Sequence, residues 1–246
     1  MAAGRPSGFN TTHWSLIAAL PNGVGSADGS RAEEALRHLC DAYWRPLYAF
    51  ARFSGHSVQD SEDLTQAFLA EVLEHGGLGG ANPDRGRFRS YLLGAMKHFM
   101  ANDRQRRRAI KRGGSRRLVS IDTDEIESHI SMPKERTTVV DADRAFDRTW
   151  ARETTAAALR ELEEEWASRG KLDHFVSLRP ALSADLAERA EVATRLGMTE
   201  NALAVAIHRF RQRYAALVRE AVARTVAREA DIDDELQYLI EILRER

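Results

Sequence analysis

A chain of 246 residues is long enough for one large domain or two small ones, each with its own core. Charged residues make up 30% and aromatics only 7%, a balance that suits short exposed helices and disfavours a deep barrel or a doubly wound sheet. The net charge of −1 taken alone argues against a nucleic-acid partner, but it averages over segregated blocks: residues 85–117 hold twelve Lys or Arg and one acid, whereas residues 229–246 hold seven acids and two arginines.

The single cysteine, Cys40, leaves no internal disulfide and no thiolate zinc cluster, which fits a reducing compartment. Residues 1–10 lack the apolar stretch of a signal peptide, and no run approaches the ~20 apolar residues of a membrane span. The expectation is an all-α, soluble, cytoplasmic protein with no membrane contact.

In chain order, residues 21–29 are rich in glycine and small side chains and read as a loop. Ser30 and Glu33 form a capping-box pattern. Leu36, Leu39, Tyr43, Leu47 and Phe50 then recur at helical spacing up to Gly55, with Pro46 inside the pattern as a point of kinking or division. Asp60, Glu62 and Asp63 gather at the start of a second helix, where acids suit the dipole, and Leu64, Phe68, Leu69, Val72 and Leu73 supply its inner face. After the glycines of 76–80, a third helix carries Phe88, Tyr91, Leu92, Ala95, Met96 and Phe99 as an unbroken stripe and runs into eight cations between Arg104 and Arg117. Residues 118–140 have little periodicity and read as a linker of low order. A further helical region follows from 141, and Ile232, Leu236, Leu239, Ile240 and Leu243 mark a final amphipathic helix.

Two segments carry chemistry. Residues 188–213 have the form of a helix-turn-helix: Val192, Ala193 and Leu196 on the first helix, Gly197 at the turn, Thr199 as the next cap, then Leu203, Ile207 and Phe210 inside. An ordinary αα-hairpin fits this spacing equally well, but His208, Arg209, Arg211 and Arg213 on the second helix favour DNA. The cations from Arg104 to Arg117 follow a helix bearing Lys97 and His98, and such density favours a polyanion with counterion release. Phe88, Tyr91 and Phe99 could stack on bases, but their spacing makes them core residues first. The trio Asp60, Glu62 and Asp63, with His56 or His75, suggests a metal or acid–base site only weakly, because no histidine stands at ligand spacing and no phosphate loop or nucleophile elbow occurs. Neither a metal nor a cofactor is expected.

Taken together and in order, DSEDLTQAFLAEVLE, FRSYLLGAMKHFMANDRQRRRAIKR and AEVATRLGMTENALAVAIHRFRQRY resemble regions 2.2, 2.3 with 2.4, and 4.2 of the extracytoplasmic-function sigma factors of bacterial RNA polymerase. The resemblance spans nearly the whole chain, and YAALVREAVARTV with its acidic sequel is similar to a branch with an extended C-terminus. It implies that Asp60, Glu62, Asp63 and Gln66 dock on the β′ clamp helices, the β subunit being a further contact. It implies that Lys97, His98, Asn102 and Arg104 face the −10 element and its melted strand, with Arg106, Arg107, Arg108, Lys111 and Arg112 on DNA nearby. The recognition helix, with Thr199, Glu200, Asn201, His208, Arg209, Arg211 and Arg213, would read the −35 element. Ala204 and Ala206 stand where many relatives carry basic residues, and His98 where many carry Asn.

The expected architecture is a region 2-like domain over 11–114, a flexible linker over 115–140, and a region 4-like domain with a helical extension over 141–246. The expected function is promoter-directed initiation on core RNA polymerase, with promoter DNA and an anti-sigma factor as further partners and no catalytic residue of its own. The competing readings are a stand-alone helix-turn-helix regulator, a metal-dependent nuclease and a scaffold that binds only proteins.

Overall fold

The computed structural model describes residues 27–74, 87–109, 127, 138–185, 188–226 and 228–245; side chains at 27–37, 39, 73–74 and 104–109 lie outside the description. Among these residues the protein is all-helical, with eight α-helices and no strand. The helices are α1 (Ala27–Phe53), α2 (Val58–Glu74), α3 (Phe88–Ala109), α4 (Val139–Ser168), α5 (Leu172–Leu178), α6 (Arg189–Arg195), α7 (Glu200–Ala223) and α8 (Ile232–Arg244). Short 3₁₀ turns, Arg179–Leu182 and Glu229–Asp231, follow α5 and precede α8.

The helices fall into two compact units. Unit 1 comprises Met1–Glu153 and Ala223–Arg246, and unit 2 comprises Thr154–Val222. The sequence pattern places the second boundary at 141 and the whole C-terminus in the second domain. The compact units divide otherwise: the first part of α4 and all of α8 belong with the N-terminal helices.

In unit 1, α1 continues through Pro46 without division, so the break considered at that residue is not taken. It ends at Gly55, whose φ of +90° is open to glycine at little cost, while the His56 N–H closes back on the Ala51 carbonyl. α2 packs on α1, and Ser57 with Asp60 forms a reciprocal cap: the Asp60 N–H donates to Ser57 Oγ at 3.1 Å and Ser57 Oγ donates to Asp60 Oδ2 at 2.7 Å. Tyr43, Leu47, Phe50, Leu64, Phe68, Phe88, Leu92, Met96, Phe146 and Trp150 build the core. Tyr43 meets the Phe88 ring edge-on at 5.3 Å and stacks near Phe146 at 6.3 Å, and Phe68 meets Phe99 at 5.6 Å. Cys40 packs beside this core, and burial pushes its thiol up to about 12, which makes it an inert side chain.

Polar ties fasten the other segments of unit 1. Arg45 holds Glu153 through both carboxylate oxygens at 3.0 and 3.2 Å. Tyr48 and Arg52 on α1 both donate to Glu127, at 2.6 and 2.7 Å, so the stretch expected to be a free linker is pinned at this residue. The Arg52 hydrogen bonds hold the Glu127 carboxyl below the usual carboxylate range.

Unit 2 is organised around Phe210, which meets Trp166 at 5.4 Å and Phe175 at 5.8 Å, both edge-on. Ala158, Leu162, Leu178, Ala181, Val192, Ala193, Leu203, Ile207, Leu217, Val218 and Val222 are buried with it. The Tyr214 hydroxyl adds a bond to the Thr155 carbonyl at 3.2 Å.

Candidate nucleic-acid interface

The helix-turn-helix pattern is realised in unit 2 by α6, a four-residue turn and α7. Val192 and Ala193 are buried on α6, the small Ala193 side chain admitting close packing, and Leu203, Ile207 and Phe210 are buried on α7. Gly197 adopts φ +64°, and the Met198 N–H bonds the Ala193 carbonyl at 2.9 Å, which turns the chain sharply. Thr199 Oγ1 accepts the Ala202 N–H at 3.2 Å, satisfying one donor of the first turn of α7.

Residues on the outer face of α7 fall into two groups. Glu200, Asn201, Ala204, His208 and Arg209 are exposed. Arg211 and Arg213 are engaged inside the unit. Arg211 Nε donates to the Ala181 carbonyl at 2.8 Å and Nη2 reaches the Ala184 carbonyl at 3.3 Å, so this side chain ties the segment leading into α6 to α7. Arg213 forms a bidentate pair with Glu165 of α4 and donates to Glu220 at 3.0 Å. The Arg213 hydrogen bonds lower the Glu165 pKa, and Glu165 in turn raises that of Arg213. Sequence reasoning put both arginines on the DNA side because they follow His208 and Arg209. Pairing across helices, which a one-dimensional reading does not show, gives them structural work in the folded unit. Arg211→Ala is therefore expected to lower the stability of unit 2 by about 1 kcal/mol, its charge-assisted bonds being half-exposed, while Arg209→Ala stays within about 0.5 kcal/mol. Thermal unfolding of the two variants checks this, and equal melting temperatures would remove Arg211 from the packing role.

In unit 1 the basic segment starts from α3. Lys97 Nζ sits 2.7 Å from Asp143 of α4 and 5.8 Å from the Phe50 ring centroid, so this expected DNA contact already has an acidic partner. His98 is exposed, and Asn102 Nδ2 lies 3.2 Å from its Nε2. α3 extends to Ala109, which places Arg104, Arg106, Arg107 and Arg108 on its last turns; their side chains lie outside the described residues, as do Lys111 and Arg112 altogether. Phe88 is buried in the core, in line with its spacing, whereas Tyr91 and Phe99 are half-buried, Phe99 with its ring against Phe68. A cavity of about 240 Å³ lies beside Lys97, lined by Phe50, Phe53, Met100, Ala101 and Val139.

The acidic cluster on α2 is divided by the cap. Asp60 is committed to Ser57, whereas Glu62, Asp63 and Gln66 occupy the face opposite the buried Ser61, Leu64, Thr65 and Phe68. Asp63 is fully on that outer face. Among the described residues no three or more His, Cys, Asp or Glu gather where they could hold a metal ion. No helix of the described residues is long and apolar enough to cross a membrane.

No family model, curated protein or solved structure matches this chain.

The site residue that sequence reasoning missed is Glu235, read as one acid in a row of acids. It lies buried against Arg89, and Arg89 itself was counted only as part of the basic block. The available signal was weak: an arginine directly after the first apolar position of α3, and an acid between apolar residues of α8.

Proposed function

We propose that this chain is a sigma factor of the extracytoplasmic-function kind, a cytoplasmic protein that binds core RNA polymerase and directs it to promoters. The observation that carries the reading is the helix-turn-helix of unit 2: a turn closed by Gly197, a second helix capped by Thr199, and an exposed first face bearing Glu200, Asn201 and His208. Such a face suits the major groove, where short polar side chains meet base edges. Two features of unit 1 support it. α3 runs into the arginines at 104–108, and Asp63 is exposed, with the half-buried Glu62 and Gln66 on the same side of α2, a polar face suited to a protein contact. In this mechanism unit 1 holds polymerase and the melting strand, unit 2 holds duplex DNA, and polymerase supplies the chemistry.

Run-off transcription with purified core polymerase on genomic fragments tests the proposal. Discrete transcripts that need this chain are the expected result. DNA binding without any association with core would instead identify a stand-alone regulator.

The acidic face gives a narrower test. Asp63→Arg is expected to weaken core binding roughly tenfold or more through like-charge contact, with the melting of unit 1 unchanged to about 0.5 kcal/mol. Unaltered affinity for core would take Asp63 out of the contact.

A further inference from the structure

Arg89 and Glu235 are the two buried charged residues of the described structure, 7% and 1% exposed, and they face each other across 146 residues of sequence. Hydrophobicity does not bring a carboxylate inside, and leaving water costs it several kcal/mol unless partners compensate. Here Arg89 Nε donates to Glu235 Oε1 at 2.7 Å, and Arg87 Nε stands 2.9 Å from Oε2. Arg89 Nη1 also donates to Asp147 Oδ1 at 2.6 Å, and the Tyr238 hydroxyl donates to Asp147 Oδ2 at 2.7 Å. The Arg89 guanidinium lies against two rings, 4.0 Å from the Tyr238 centroid and 5.0 Å from that of Trp150. Burial, then the bond to Asp147, push the Tyr238 hydroxyl up to about 12, so it stays a donor.

The apolar grip of α8 is small by comparison. Ile232, Leu239 and Ile242 are buried, but Ile240 and Leu243 are 40% and 46% exposed. A helix of 13 residues is too short to persist alone in water. Its attachment is thus set by a specific charge arrangement over a modest apolar area, the profile of an element that opens on its own below the threshold of global unfolding.

We propose that α8 is a detachable clasp: an acidic amphipathic helix bound in cis to a basic and aromatic receptor made by Arg87, Arg89 and Trp150, which opens while the rest of unit 1 stays folded. Unit 2, Thr154–Val222, interrupts unit 1 in sequence, so the clasp holds the segment by which the chain returns to unit 1. The receptor it vacates suits a second helix of the same acidic, amphipathic kind.

Hydrogen exchange on the full-length protein tests this. Amides of 232–244 are expected to exchange as one group, faster than those of α1 and α3. Glu235→Gln should raise the α8 rates roughly 100-fold, the effect of breaking a buried pair, and leave α1 and α3 unchanged. A labelled peptide of residues 228–246 should bind the full chain carrying Glu235→Arg, whose own helix is expelled. Exchange of α8 only together with α1 and α3 in the wild type overturns the proposal and makes α8 a fixed core element, whatever the variants do. Equal acceleration of all three helices by Glu235→Gln, or a peptide that does not bind, overturns it as well.

Discussion

Phe88→Ala is expected to remove about 3–5 kcal/mol from the stability of unit 1, a large part of what a domain of this size possesses. The ring is 1% exposed and sits edge-on to Tyr43 at 5.3 Å, so truncation costs its transfer free energy, an aromatic contact and a cavity beside the equally buried Tyr43. Phe88→Leu keeps most of the volume and should cost less than about 2 kcal/mol. Denaturant unfolding followed by tryptophan fluorescence reads both, Trp150 lying in the same core. The pair of variants separates two roles for an aromatic on this helix. A residue that stacks on unpaired bases would lose DNA affinity with little change in stability. Should Phe88→Ala unfold no more readily than the wild type, the core assignment is wrong.

That core was legible in the sequence because α3 repeats its apolar residues at one spacing: Phe88, Leu92 and Met96 are all buried, and the same face continues to Met100. The helix-turn-helix was legible for a related reason. Gly197 and Thr199 act through their own backbone and the next turn, so local chemistry is enough to specify them. The C-terminal helix shows where such reasoning stops. Its apolar pattern gives an inner face of Ile232, Leu236, Leu239, Ile240 and Leu243, but the structure buries Ile232, Glu235, Leu239 and Ile242 and leaves Ile240 and Leu243 exposed. The helix is rotated because Arg89 and Arg87 draw Glu235 inward, and no periodicity within α8 records a partner on α3. The same limit applies to Arg211, Arg213 and Lys97. Each reads as a free cation in sequence and meets a carbonyl or carboxylate from a distant segment in space.

Replacing Arg106, Arg107 and Arg108 together with alanine is expected to lower the slope of log affinity against log salt for promoter DNA by about 2 to 3. Each phosphate-bound arginine releases close to one counterion. α3 continues through these positions to Ala109, and the lower end of that range corresponds to two of the three arginines reaching phosphates. Between about 50 and 200 mM salt the wild type should then lose roughly 15- to 60-fold more affinity than the variant. Lys97→Ala provides the internal contrast. Its ammonium is paired with Asp143 at 2.7 Å, so binding a phosphate would exchange one anion for another and release little. Its change in slope should be well under one. Fluorescence anisotropy over a salt series measures all three proteins. If the triple variant keeps the wild-type slope, the arginines are solvated and DNA is held elsewhere. If Lys97→Ala shifts it as much as each arginine does, the Asp143 pair opens when DNA binds.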